Sequence, residues 1–232
     1  MVGKEADDIN IGMPEDAYDI GNHIPTFSAY LMAIVRDSEG KIIKVHTQRS
    51  HSPTANFIGL FLPTSYFATN NVSFTITNTG GTKCNYQPAP QPNILDITYP
   101  NNQKNYSTYL VMIQVGSGSQ PNQYNAYSLA APIANGSGPG QLIYQPVSLP
   151  STIMLRGNTA YFYITQTYNN MSGSTITITE VGIILELQLV INSTLNQSNC
   201  GNILVWYDVF SSPISVPNAG SVTIYYTFTV NP

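Results

Sequence analysis

Charge is what this chain lacks most. Asp, Glu, Lys and Arg make up 9% of its 232 residues, against ~25% in ordinary soluble proteins. The shortage is uneven. Thirteen of the twenty charged residues precede Asn56, only Lys83, Asp96, Lys104, Arg156, Glu180, Glu186 and Asp208 follow it, and none lies between Asn105 and Leu155. Solubility there must come from hydroxyls and amides. Two settings suit such an exterior: a large assembly, whose contact cores are depleted of charge, or an acidic medium that neutralises carboxylates. A neutral extracellular β protein rich in Ser, Thr and Asn is the plainer alternative.

The other absences narrow the chemistry. The bases Arg36, Lys41, Lys44 and Arg49 are countered by Asp37 and Glu39, and the net charge is −4. Nucleic-acid binding by phosphate neutralisation is therefore not expected. His23, His46 and His51 are the only histidines, which disfavours general acid–base work at neutral pH. His46 and His51 have no evident third ligand, so no metal site is expected. Asp8-Ile9-Asn10-Ile11-Gly12 is similar to a fragment of a calcium loop but lacks its later oxygen ligands. No G-x-S-x-G nucleophile elbow occurs. Gly116-Ser117-Gly118-Ser119 and Gly136-Ser137-Gly138 read as flexible loop. Glu180 and Glu186 sit six residues apart on one strand, about 20 Å, too far to act as a glycosidase pair. They read as carboxylates at a surface or interface. No catalytic residue and no cofactor is expected, and the chain reads as non-enzymatic.

No run of 18 apolar residues exists, so no membrane-spanning helix is expected. Residues 1–25 are acidic and polar and do not read as a signal peptide. There are two cysteines, Cys84 and Cys200. A bridge between them would close a long loop and contribute about 3–5 kcal/mol in the chain-entropy model. Two separate buried thiols fit equally well, and the sequence leaves both open.

What is present points to strands. Tyr (16), Phe (8), Val, Ile and Thr dominate, and these favour a pleated, half-buried surface. Residues 1–25 read as an N-terminal arm, either disordered or docked on a neighbouring subunit, and residues 26–232 as a single β domain. Ser28–Arg36 and Lys41–Gln48 flank Asp37-Ser38-Glu39-Gly40, a hairpin whose Gly suits a positive φ. Ser52 and Pro53 suit the start of a short helix, with Ala55, Asn56, Phe57, Ile58, Leu60 and Phe61 on its inward face. Strands follow near residues 72–77, 94–99, 106–115, 142–149, 152–156, 159–167, 174–191, 203–210 and 222–230. Gly157-Asn158 signals a hairpin, and Gly182 a bulge or bend. In the last strand Val222, Ile224, Tyr226, Phe228 and Val230 share one face and Thr223, Tyr225, Thr227 and Thr229 the other. That second face has none of the charge that usually protects an edge, so it suits contact with another subunit or an interior place in a sheet.

The fold class expected is all-β: a two-sheet antiparallel sandwich with an extended arm and one short helix. Jelly roll is the leading topology. An immunoglobulin-like sandwich is the alternative, although Trp206 follows Cys200 instead of lying between the cysteines. Six Asn-x-Ser/Thr sequons, at Asn71, Asn105, Asn135, Asn170, Asn192 and Asn196, are glycosylation candidates. Tyr86, Tyr99, Tyr106, Tyr124, Tyr127 and Tyr168 read as loop tyrosines, serving a protein interface or a glycan platform.

The stretch Val35–Phe61 (VRDSEGKIIKVHTQRSHSPTANFIGLF) resembles an opening motif of structural proteins from viruses of hot acidic springs. The charge-poor Thr/Tyr/Asn-rich remainder resembles the adaptor, tail or turret proteins of archaeal spindle-shaped and turreted icosahedral viruses. The resemblance is specific over about 27 residues, Val35–Phe61, and compositional beyond them. It implies a jelly-roll subunit in a ring at a tail or vertex of a virion, and it carries over no catalytic residue. The implied partners are copies of the chain and other virion proteins, and the loop tyrosines add a host-surface glycan as the alternative. The implied location is the virion, with synthesis in the host cytoplasm.

Overall fold

An Asp-Ser-Glu-Gly turn between two apolar strands begins the fold of this chain. In the computed structural model, which describes residues 26–50, 53–61, 74–86, 111–121, 123–191 and 196–231, β1 (Thr26–Arg36) and β2 (Ile42–Arg49) form the expected hairpin. Asp37 Oδ1 accepts from the backbone N–H of Glu39 and Lys41, and Gly40 adopts φ 80°, a conformation that costs other residues energy. The arm at 1–25, His51, the loop tyrosines Tyr99 and Tyr106, and the strand expected at 94–99 lie outside the described residues.

The remaining elements are α1 (Ala55–Phe61), β3 (Phe74–Thr77), β4 (Lys83–Tyr86), β5 (Val111–Gly116), β6 (Ile143–Tyr144), β7 (Met154–Arg156), β8 (Thr159–Asn169), β9 (Ile176–Ile191), β10 (Asn196–Val216) and β11 (Ser221–Asn231). One sheet runs β2-β1-β11-β8-β6, with β7 also on β8; a second runs β10-β9-β5; β3 and β4 form a small hairpin. All these pairings are antiparallel. The all-β antiparallel class with one short helix is as the composition implies. The strand expected at 142–149 contracts to the two residues of β6, while β10 extends well beyond 203–210.

The two large sheets share one core. Ala29, Leu31, Ala33 and Val35 of β1 and Val222, Ile224, Tyr226 and Phe228 of β11 pack with Ile113 of β5, Ile178, Val181 and Ile183 of β9 and Trp206 of β10. The alternation along β11 is the cause: period 2 sends these residues to one face. Phe57 of α1 and Phe228 both meet Trp206 edge-on, at ring-centroid distances of 5.3 and 5.2 Å. Polar groups also cross between the sheets. Gln166 Oε1 accepts from Ile113 N at 2.7 Å, and the Tyr168 hydroxyl donates to Ile113 O. Tyr168 is therefore a fully buried strand residue, not a loop tyrosine.

The Thr/Tyr face of β11 belongs to an interior strand. β11 is hydrogen-bonded to β1 on one side and β8 on the other, and Thr227 and Thr229 are buried. The irregularity expected at Gly182 lies elsewhere. The β9–β10 register shifts opposite β10 at Asn199/Gly201, Leu204/Trp206 and Val209/Ile214. Gly182 stays in register, and its lack of a side chain serves close approach. A Cβ there would stand 2.7 Å from Trp206 O and 2.5 Å from Leu204 Cδ1.

Candidate interaction surfaces

Two fully buried acids, Glu180 and Asp208, lie in the second sheet, on opposite faces. The in–out phase of β9 changes between Ile178 and Val181, since both belong to the shared core although three positions apart. The change turns Glu180 outward, beneath the excursion at 116–142. There Ala126 and Leu129 cover Ile184, Leu204 and Tyr207. Glu180 is fully buried. Its carboxylate accepts from Ala131 N at 2.7 Å, Ala130 N at 2.9 Å, Gly118 N at 3.2 Å and the Tyr207 hydroxyl at 2.7 Å. Four donors suit a buried carboxylate, which has about four acceptor positions. Burial, then the hydrogen bond and charge of Glu180, push the Tyr207 hydroxyl pKa up. Gly116 and Gly118 are part of this packing. A Cβ on Gly116 would meet the Glu180 carboxylate and lie 2.7 Å from Ala131 O, and one on Gly118 would lie 2.9 Å from Ala131 N. The Gly-Ser-Gly-Ser text thus seats an anchored loop and is not simple flexible linker. Glu180 is correspondingly neither a surface nor an interface carboxylate.

Asp208 points into the sandwich. The Ser50 hydroxyl donates to Asp208 Oδ2 at 2.6 Å, the Tyr226 hydroxyl donates to the same atom at 3.0 Å, and Trp206 Nε1 donates to Ser50 Oγ. Thr54 and Asn56 continue the seam by donating to Leu204 O. Together these tie the β2–α1 connection to β10. Among the described residues, the hydrogen bonds of both acids hold the fold together. No cluster of three metal-ligating side chains occurs among the described residues, and no described helix is long and apolar enough to cross a membrane. His46 is half-buried, with Nε2 2.9 Å from Gln48 Oε1.

Among the sequons, Asn135 is exposed. Asn170 is fully buried; its Nδ2 donates to Ser174 O and Val216 O, and its Oδ1 accepts from Ser172. A glycan on Asn170 is incompatible with this packing, which corrects the expectation for that site. Asn196 begins β10, while Asn71, Asn105 and Asn192 lie outside the described residues. Cys84 on β4 is disulfide-bonded, and Cys200 is the chain's only other cysteine.

Three of the exposed large apolar side chains fall in one row. Phe27, Val230, Ala160 and Leu155 form one row across four strands of the first sheet, on its core-facing side. Phe27, Val230 and Leu155 are 53%, 45% and 76% exposed. Phe27 also stacks on Phe228 and meets Trp206 edge-on, so the row continues the core to the surface. Ile43 and Val45 of β2 and Tyr124 and Tyr127 of the excursion are further exposed large side chains. Register creates the Phe27 row from three distant stretches of sequence, and no local pattern announces it.

No protein-family model, no curated protein and no solved structure matches the chain.

Proposed function

We propose that this chain is a non-enzymatic structural subunit of a virion, a tail-adaptor, nozzle or turret type of component that assembles with its own copies into a symmetric ring and contacts other virion proteins. One observation carries the reading: the exterior beyond β2 is nearly free of charge. Among the described residues after Arg49, the charged ones are Lys83, Arg156, Glu180, Glu186 and Asp208, and Glu180 and Asp208 are fully buried. The burial of these two leaves the exterior poorer in charge than the sequence alone implies. Charge depletion with exposed Phe27, Leu155 and Val230 suits surfaces that are covered on assembly. Cyclic symmetry is the common outcome for copies of one chain. The viral setting and jelly-roll topology rest on the resemblance of Val35–Phe61. The test is the mass of purified protein by light scattering across a concentration series, with imaging of any ring. A chain that stays monomeric at high concentration and is missing from purified particles overturns the proposal.

A second reading is a glycan- or receptor-binding module. Tyr124 and Tyr127 support it, since they stand exposed three residues apart on an excursion anchored by Glu180. A glycan array on the wild type and on Tyr124→Ala/Tyr127→Ala tests it. The reading fails if the wild type binds nothing or if the double variant binds as well.

A further inference from the structure

β2 is one edge of the first sheet, and its two sides are used differently. Its inner side chains serve the chain itself. Lys44 Nζ donates to Pro213 O at 2.8 Å, Gln48 Nε2 donates to Val209 O at 3.0 Å, and Gln48 Oε1 accepts from Ser211 N at 2.8 Å. The alternate residues Ile43, Val45, Thr47 and Arg49 are exposed. Their backbone also faces outward. Ser50 N donates to Ala29 O, which fixes Ala29–Ser50 as a hydrogen-bonded pair. The ladder is regular from Arg49 to Lys44, so Gln48, His46 and Lys44 bond inward, and the N–H and C=O groups of the odd-numbered residues point away from β1. Among the described residues nothing pairs with this edge. Such a row is a template for an added strand.

The edge is also basic. Lys44 and Arg49 are the only charges within β2, Lys41 precedes it, and the Arg49 side chain is exposed without a described partner. The chain has one strongly acidic segment to match. Residues 1–25 hold Glu5, Asp7, Asp8, Glu15, Asp16 and Asp19 against the single Lys4. Within it Ile9, Ile11 and Met13 alternate with Asp8, Asn10 and Gly12, the period of a strand. Asp7–Met13 is close in length to β2. The segment joins β1 at Thr26, leaving twelve residues after Met13, enough to span about 40 Å when extended.

We propose that the β2 edge accepts residues 7–13 of a second copy of this chain as an added strand, with the Asp7 and Asp8 carboxylates at its Arg49 end. This rests on the self-assembly reading above and names its partner surface. The test uses the full chain with a photo-cross-linking residue replacing the exposed Val45, prepared in isotopically light and heavy forms and mixed before irradiation. Cross-links from position 45 to residues 1–25 that join light to heavy chains are the expected result. Reversing the edge charge with Arg49→Glu should weaken self-association about tenfold, and Asp7→Lys/Asp8→Lys in the same chain should restore it. An oligomer with no cross-link to residues 1–25, or with light–light and heavy–heavy links alone, overturns this inference and leaves self-assembly standing. A strictly monomeric full chain overturns both.

Discussion

The Tyr207 hydroxyl donates to Glu180 Oε2 at 2.7 Å, joining β10 to β9 beneath the excursion that also places three backbone N–H groups on the same carboxylate. One side chain thereby ties Gly118 and Ala130–Ala131 of a loop over 20 residues long to the sheet. Glu180→Gln replaces one acceptor oxygen with an NH2 group aimed at N–H donors. Its expected cost is about 2–4 kcal/mol, with faster hydrogen exchange at 117–131. Tyr207→Phe removes this hydrogen bond and the one its hydroxyl accepts from Gln120 N at 2.8 Å, and is expected to cost about 2–3 kcal/mol. Denaturant titration of both single variants and the double variant checks the coupling. Additive costs would mean that the two residues do not act on one loop.

Gly182 tests close packing directly. Gly182→Ala would press a methyl group against the Trp206 carbonyl and Leu204. The carbonyl belongs to a sheet backbone and cannot rotate away. Overpacking of this kind costs about 1–3 kcal/mol or more, although alanine is otherwise the better residue in the unfolded-state balance. Thermal unfolding of the variant should show a clear drop in Tm, and a rise would contradict the contact.

Much of the fold is legible where local chemistry and periodicity agree. The Asp37–Gly40 turn names its own hairpin, and β11 shows its core face residue by residue. Glu180 was not legible, because period-2 counting from Ile176 and Ile178 places it in the shared core. The phase change before Val181 depends on β10 skipping from Val209 to Ile214, a tertiary event. A clue was present all the same: an acid inside an apolar strand, as in Ile-Thr-Glu-Val or Trp-Tyr-Asp-Val, needs buried donors or an edge. The Gly116–Ser119 text and the Asn170 sequon misled for a related reason. Composition reports what a residue can do, and packing decides what remains available. Of the candidate surfaces, the β2 hairpin could be placed from the sequence, whereas the Phe27–Val230–Leu155 row needed the pairing register.

Buried tyrosines set the alkaline limit. Burial pushes the Tyr144 pKa up to about 12, partly offset by its hydrogen bond to Val115. Burial holds Tyr168 and Tyr226 well above the ordinary 10.0, with the charge of Tyr144 adding to the first and that of Asp208 to the second. Since the folded values are raised, the unfolded chain loses these protons first. Stability is fully present below pH 10 and falls as pH rises beyond it toward the folded values. Denaturant midpoints should be flat up to about pH 9 and decline steeply by about pH 11. Phenolate absorbance should rise in two stages, exposed tyrosines first and the buried set only with unfolding. Tyr144→Phe should leave a shallower decline, and an unchanged slope would remove Tyr144 from this account.

The disulfide at Cys84 ties β4 into the rest of the molecule. β4 pairs only with β3 among the described strands, and a four-residue hairpin alone is marginal in water. The partner available is Cys200, 116 positions later. In the chain-entropy model a loop that long contributes about 4–5 kcal/mol by restricting the unfolded chain. Reduction, or Cys84→Ser/Cys200→Ser, should therefore lower the denaturant midpoint substantially. The reduced chain should also migrate more slowly than the oxidised one on a denaturing gel run without reductant, because the unfolded oxidised chain is cross-linked and more compact. The main sheets do not depend on this bridge for their pairing, so their far-ultraviolet strand signal should persist below the new midpoint, while exchange protection is lost first at 74–86. Equal midpoints before and after reduction would show that β3 and β4 are held by packing alone, through Ile76 in the shared core.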